Sequence, residues 1–291
     1  MPNLQNLAAG LSLRRMTLDE LPRALDWAAA EDWNPGLFDA EPFHAADPQG
    51  FFLAEVDGQP VGCFSAVAYD QDFGFAGLLL VRREYRGRGI GVALARAGLD
   101  YLGSRTVGQD GVPAKQRLYA RLGFTTAYTT TRFAGTVPML RERAWDTPAC
   151  LVDLRTRDLS ELAAYDRTLF PAPREAFLEA WIRQPGTVAL GILQLGRLVG
   201  YGVARSCRVG FKIGPLTASE PCLAEVLLQG LLAHLPGETV FLDLPDPNAA
   251  GLELVRRWGM RAVSQTARMY RGPAPQINLA QVFAVTSLEL G

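Results

Sequence analysis

The sequence predicts an α/β chain built from two tandem copies of one unit, and three observations carry that expectation. The first is an internal echo. Leu13-Arg14 followed by Glu20-Leu21 returns as Leu154-Arg155 followed by Glu161-Leu162. Asp57-Gly58-Gln59-Pro60-Val61-Gly62 returns as Leu195-Gly196-Arg197-Leu198-Val199-Gly200, and Arg121-Leu122-Gly123-Phe124 as Arg257-Trp258-Gly259-Met260. The matches keep one order, with offsets drifting only between 141 and 136 residues, which is the mark of a duplication. The second observation is that strand-like and helix-like apolar segments follow one another along the chain. The third is length, since 291 residues exceed one average domain and fall short of three. The join is placed around Thr136 to Pro148, which gives units 1–140 and 141–291.

Taken in order, Thr17-Leu18-Asp19-Glu20 forms a capping box before the apolar positions Leu18, Leu21, Leu25 and Ala28, so a helix is expected from Thr17 to Ala30. Glu31-Asp32-Trp33-Asn34-Pro35-Gly36 then marks a loop. Phe51 to Val56 and Val61 to Tyr69 are expected as a pair of strands joined by the hairpin signal Asp57-Gly58. Phe73 to Val81 makes a further apolar strand. Leu94 to Leu102 has helical periodicity, with Gly103 as its stop.

Composition narrows the function. Apolar residues make up 48% and charged residues 20%, which suits a globular protein with a large core. A net charge of −1 gives no overall field for nucleic acid or anionic membrane. No apolar run approaches a membrane span, and Met1-Pro2-Asn3-Leu4 lacks a secretion signal, so a cytoplasmic protein is expected. Cys63, Cys150, Cys207 and Cys222 are far apart among apolar neighbours and are expected reduced and buried. His44 and His234 have no companion at ligand spacing, so no metal site is expected. No serine sits in G-x-S-x-G.

The chemistry concentrates in Leu79-Leu80-Val81-Arg82-Arg83-Glu84-Tyr85-Arg86-Gly87-Arg88-Gly89-Ile90-Gly91-Val92, where a strand enters a glycine-rich turn and a helix leaves it. Glycines let a backbone approach a ligand closely, and a helix start offers unpaired N–H groups, which together make a pyrophosphate site. The Lys and spacing of a P-loop are missing, and Gly87, Gly89 and Gly91 alternate where a dinucleotide fingerprint would not. Arg86-x-x-Gly89-x-Gly91 after Leu-Leu-Val instead resembles the acetyl-CoA signature of the GNAT superfamily of N-acetyltransferases. The block Asp110-Gly111-Val112-Pro113-Ala114 through Leu118-Tyr119-Ala120-Arg121-Leu122-Gly123-Phe124 resembles that family's later strand and helix. Val112 stands where the family usually has Asn, which departs from the pattern at the pantetheine arm. The whole chain resembles a bacterial branch with an N-terminal GNAT domain and a degenerate GNAT-like C-terminal domain.

That resemblance implies two units, each a mixed, mostly antiparallel twisted sheet flanked by helices. It implies acetyl-CoA as cosubstrate and direct transfer of the acetyl group to a small amine. The amides of Gly87, Arg88, Gly89, Ile90, Gly91 and Val92, with Arg86, would hold the pyrophosphate. Leu79, Leu80 and Val81 would pair with the pantetheine arm, and Tyr119 would protonate the leaving thiolate. Glu31, Asp32, Asp39 and Asp110 are candidates for the base, with Glu31 preferred and a water chain as the other option. Glu31, Asp32, Asp39, Glu41 and Asp47, lying among Trp33, Phe38, Phe43, Phe51 and Phe52, read either as a surface for a cationic amine or as a loop whose aromatics pack inward. The counterpart of the turn falls near Leu223 to Leu228 and has no glycine, so one cofactor site, in the first half, is expected. A non-catalytic acetyl-CoA sensor is the competing function. A monomer or a homodimer is possible, with the fused pair favouring a monomer.

Overall fold

A computed structural model describes residues 10–137 and 150–291. Most of the expected join, Thr136 to Pro148, and the segment Met1 to Leu4 lie outside the described residues. The first half runs β1 (Leu11–Arg15), α1 (Leu21–Ala29), α2 (Ala40–Ala46), β2 (Phe51–Val56), β3 (Gln59–Ala68), β4 (Phe73–Val81), α3 (Ile90–Leu102), β5 (Thr106–Gly111), α4 (Gln116–Arg121) and β6 (Thr125–Thr136). The second runs β7 (Cys150–Asp153), α5 (Leu159–Asp166), α6 (Glu175–Arg183), β8 (Val188–Gln194), β9 (Arg197–Ser206), β10 (Phe211–Ala218), α7 (Pro221–Leu232), β11 (Thr239–Pro245), α8 (Ala249–Arg257), β12 (Arg261–Arg271) and β13 (Val282–Ala284).

Local chemistry sets these elements. The capping box between Thr17 and Glu20 forms, but it closes a 3-10 turn over Leu18–Glu20 and α1 begins only at Leu21. Pro22 sits in the first turn of α1, where its missing N–H costs nothing. Asp57 and Gly58 both have positive φ (51° and 76°), as do Leu195 and Gly196 (50° and 76°). Such turns match the right-handed twist of the strands they join, so β2–β3 and β8–β9 are the same hairpin written twice.

The sheet has thirteen strands, and twelve of them follow the order β1-β2-β3-β4-β5-β12-β6-β11-β10-β9-β8-β7, with β13 beside β10. Among the described strand pairs, only β4–β5 and β10–β11 are parallel. The order is a palindrome in which β6 and β12 have changed places: each half lends its last strand to the other. β12 pairs with β5 and β6 pairs with β11, so one sheet runs through both halves. Two ion pairs lock the exchange. Arg268 on β12 holds Asp110 on β5 in a two-pronged contact through Nε and Nη2 (3.1 and 2.7 Å), and Arg132 on β6 holds Asp243 on β11 likewise (2.7 and 2.8 Å). All four side chains are buried.

Strand alternation divides the helices between the two faces. Phe51 and Leu53 of β2 join a core that contains residues of α1, α2, α5 and α6. Phe52 and Ala54 face the other way, onto Ile90, Leu94 and Leu99 of α3. The second half repeats that second face with α7 and α8. Cys63 and Cys207 are buried as expected, but Cys150 and Cys222 are exposed, because the first opens β7 and the second lies in the first turn of α7; all four are free thiols. Among the described residues, no helix is long and apolar enough to cross a membrane.

Candidate active site

Strands β4 and β5 pair in parallel only from Phe73↔Thr106 to Ala76↔Gln109, and then diverge. The cause lies in β4, where Leu78 adopts φ 47° and the register against β3 slips between Cys63 and Ser65. A positive φ is strained for a leucine, of order 1–3 kcal/mol, and is held here by burial and by Cys63, whose thiol donates to the Leu78 carbonyl at 3.3 Å. Nothing in the run Leu78-Leu79-Leu80 marks that residue in advance. Beyond it, Leu80 and Val81 stay paired with β3, and Leu79–Val81 lines a cleft of about 800 Å³.

The cleft collects most of the expected residues. Leu79, Leu80, Val81, Arg86, Gly87, Gly89, Ile90, Gly91, Val92, Glu31 and Tyr119 all line it, together with Trp33, Tyr85 and Asp110. Arg88 does not line it; its guanidinium lies 5.2 Å over the Tyr85 ring. Gly87 (φ 78°) and Gly89 (φ 75°, capping α3) are required by backbone conformation. Gly91 lies inside α3, so its value is open space, the nearest atom to an added Cβ being 3.6 Å away on Val81. The N–H groups of Ile90 and Gly91 open the helix and have no partner in the preceding turn. The N–H of Val92 is instead committed to the Gly89 carbonyl at 3.1 Å, so Val92 contributes its side of the cleft rather than an amide.

Arg86 is fixed from two sides: Nε donates to the Val81 carbonyl at 2.8 Å and Nη2 to Glu31 at 2.6 Å. Arg83 also approaches Glu31, at 3.6 Å. Tyr119 lies across β5, its ring about 3.0 Å from where a Gly111 Cβ would stand, and edge-on to Phe124. Burial pushes its phenol above the ordinary value, so the group stays protonated at neutral pH. Asp110 is held by Arg268, yet burial outweighs that partner and pushes its carboxyl up.

The other acidic candidates separate. Asp32 is exposed and off the cleft. Asp39 is fully buried, bound by Arg205 and accepting from the Gly36 N–H at 2.8 Å. Asp47 accepts from the Gln49 and Ala68 amides and from the Tyr101 hydroxyl. The stretch after α1 is therefore no shared acidic surface: Phe43, Phe51 and Phe52 pack inward, and only Glu31 and Trp33 reach the cleft. Clamping by the second half explains this. Leu37 N–H donates to the Ser206 carbonyl, Arg208 N–H to the Pro35 carbonyl, and Asn34 pairs with Val209 in both directions. Arg132 and Lys212 both donate to the Trp33 carbonyl (3.0 and 3.1 Å). Among the described residues there is no group of three or more His, Cys, Asp or Glu placed to hold a metal.

The equivalent place in the second half is closed. The expected counterpart, Leu223 to Leu228, lies inside α7, and the connection from β10 is only Ser219 and Glu220 against residues 82–89 in the first half. The turn is shortened rather than merely stripped of glycine. The gap between β10 and β11 is filled by the chain itself: β13 pairs with β10, Leu216↔Ala284 and Thr217↔Val282, and Val285 N–H donates to the Asp243 backbone carbonyl on β11 at 2.9 Å.

Comparison with known proteins agrees with this geometry. Residues 14–124 match the Acetyltransferase (GNAT) family, and residues 162–284 match an Acetyltransferase (GNAT) domain. A holothin acyltransferase from Pseudoalteromonas sp. (strain SANK 73390) is 31% identical over 94% of this chain and 92% of its own. The fold is shared with a candidate acetyltransferase from Pyrococcus horikoshii (TM-score 0.81, 23% identity, 100% of this chain and 99% of that one). It is also shared with a tandem GNAT protein of the clavulanic acid biosynthesis pathway (TM-score 0.65, 17% identity, 91% and 100%). This chain belongs to the GNAT acetyltransferase family, with two such domains in tandem.

Proposed function

We propose that this acyltransferase uses acetyl-CoA and acetylates the amine of a small molecule at one site, in the first half. The observation that carries the reading is the meeting, in one cleft, of the Gly87–Gly91 turn, the free edge of Leu79–Val81 and the Tyr119 phenol. The amides of Gly87, Gly89, Ile90 and Gly91 would receive the pyrophosphate, with Arg86 exchanging Glu31 for it. The pantetheine arm would extend β4 as an added strand. A β4 amide would donate to the thioester oxygen as charge grows there, which is worth roughly 3 kcal/mol.

In this reaction the amine nitrogen attacks the thioester carbon, forming C–N as C–S breaks. The proton lost by the amine goes to Glu31, which lines the cleft, and the departing sulfur takes a proton from Tyr119. The second half, units beyond residue 140, would serve as the support that fixes the Trp33 loop and closes the sheet. A small-molecule acceptor is in keeping with the 31% identical relative, whose name specifies holothin.

The test is a thermal shift with acetyl-CoA followed by thiol release across a panel of primary amines. A raised Tm and amine-dependent release are expected. A raised Tm with no release for any amine would make the chain a cofactor-binding module instead.

A further inference from the structure

The cleft draws its walls from both faces of the sheet. Leu79, Val81, Ile90 and Tyr119 belong to the core on the α3 face, whereas Leu80 and Trp33 belong to the core on the α1 face. All of them line the one cleft, where β4 and β5 part. The reaction above gives the glycine turn and the Tyr119 phenol to the cofactor, and both come from α3 and its neighbour α4. Space on the α1 face is what is left for the acceptor, and Trp33 is the aromatic side chain that walls it.

Trp33 is held against strain. Its neighbours Asp32 and Asn34 both have positive φ (62° and 52°), a region that side chains with a Cβ rarely enter. Its N–H donates to the Ala28 carbonyl in the last turn of α1 at 3.1 Å. Its carbonyl accepts from two buried cations, Arg132 Nη1 at 3.0 Å and Lys212 Nζ at 3.1 Å. The two donors differ in their other partners. Arg132 is neutralised by Asp243. Lys212, on β10, is 3% exposed, and among the described residues the Trp33 carbonyl is the acceptor its side chain reaches. Burial and the charge of Arg132 outweigh the more distant Glu289 and Asp243 and pull the Lys212 pKa below its ordinary value.

A buried ammonium matched by one backbone carbonyl is unfavourable for folding, since an apolar side chain of the same size avoids the cost of desolvation. The carbonyl does not need it either, because Arg132 already satisfies that oxygen. What Lys212 adds is direction. Two donors arriving from β6 and from β10 fix the peptide after Trp33 from two sides, where one would leave it free to turn. The next ties along the loop come from the β9–β10 connection as well: Asn34 exchanges hydrogen bonds with Val209 (2.9 and 2.8 Å), and Gly36 bridges to Cys207. A cleft residue of the first half is thus oriented by the half whose own cofactor turn is missing.

We propose that Lys212 is a positioning residue for acceptor recognition: through the Trp33 carbonyl it fixes the indole as the wall against which the apolar body of the amine packs. The proposal rests on the acetyl-transfer reading and deepens it. Lys212 does not line the cleft and touches neither substrate; Trp33 touches the amine. Acceptor choice is then set by both halves together, the second acting through one peptide group of the first.

The test is a double-mutant cycle on the full chain, read by thiol release with the fastest amine of the panel above, whose aromatic members are benzylamine and tryptamine. Lys212→Met is expected to raise the KM of that amine about tenfold, the worth of one hydrogen bond from a charged donor, and to leave the acetyl-CoA Kd unchanged. Its urea midpoint stays at or above the parent's, because methionine fills the space without a charge to bury. Trp33→Ala raises the amine KM by at least as much, and the double variant matches Trp33→Ala alone, since Lys212 acts through Trp33. Lys212→Gln, one atom shorter and still polar, shows the same rise and decides the matter if Lys212→Met does not fold. An unchanged amine KM in a folded Lys212 variant overturns the role. So do losses that multiply in the double variant, or an acetyl-CoA Kd that weakens as much as the amine KM rises; each of these leaves acetyl transfer standing. A parent that releases thiol with no amine overturns acetyl transfer itself, and the role falls with it.

Discussion

Replacing Gly89 by Glu separates phosphate binding from folding, because the two costs differ in kind. Gly89 caps α3 at φ 75°, so any L-residue there costs about 1–2 kcal/mol of backbone strain. Against a typical stability of about 5–15 kcal/mol, the variant stays folded. The new carboxylate stands beside the opening amides of α3, where a phosphate charge about 4 Å away at an effective dielectric near 20 is repelled by roughly 4 kcal/mol. That is about a thousandfold in Kd. At acetyl-CoA near 100 times the parent Kd, the parent gains about 2.7 kcal/mol. For a chain of this size the gain reads as a rise in Tm of roughly 5 °C. At the same concentration Gly89→Glu gains less than about 0.1 kcal/mol and its Tm does not move. Gly89→Ala, which carries the strain without the charge, keeps most of the response. If Gly89→Glu responds to acetyl-CoA as the parent does, the phosphate does not bind at this turn.

Tyr119→Phe is expected to lower turnover about a hundredfold with little change in the KM for acetyl-CoA, measured by thiol release. Since burial raises the Tyr119 pKa, the phenol remains a proton donor through neutral pH, and its alkaline loss falls above pH about 10. Arg268→Met leaves the buried Asp110 carboxyl without its partner, which costs about 3–5 kcal/mol in urea unfolding, and adding Asp110→Leu recovers much of it. The hydrogen bonds from Arg14 hold Glu20 down to about 2. A depressed carboxylate stabilises above its unfolded value of about 4.3 and loses that contribution as pH falls towards 2. Carbon NMR titration of Glu20 should show that low midpoint, and Arg14→Met should return it to the ordinary range.

Local signals carried far into this molecule. The bounds of β2 and β4 follow from apolar runs that end at turn residues, and Asp57-Gly58 makes the turn its chemistry demands. The glycine-rich turn between β4 and α3 was legible because its glycines answer to φ and open space, both properties of a few consecutive residues. What was not legible depends on partners far along the chain. Nothing near Asp39 announces Arg205, and nothing near Asp110 announces Arg268, yet those partners decide that the first is structural and that the second is gripped at the cleft edge. Helix α2 escaped notice because Ala40–Ala46 is too short to show a period and carries Pro42. Nothing in the C-terminal tail announces that the Glu289 carbonyl crosses Gly77.

The exchange of β6 and β12 also sets a timetable for the nascent chain. β5 ends at Gly111, but the strand that covers its edge begins at Arg261, so that edge stays open while the intervening residues are made. At ~5–20 residues per second this interval lasts roughly 8–30 s. During it β6 has no second-half strand to join, and β5 and β6 stay open to each other or to another copy of the chain. A first half released early, by truncation or stalled synthesis, would therefore offer two complementary edges to its twin. Dimerisation of such fragments, through the seam that the intact chain closes within itself, is a route this topology opens to unfinished molecules.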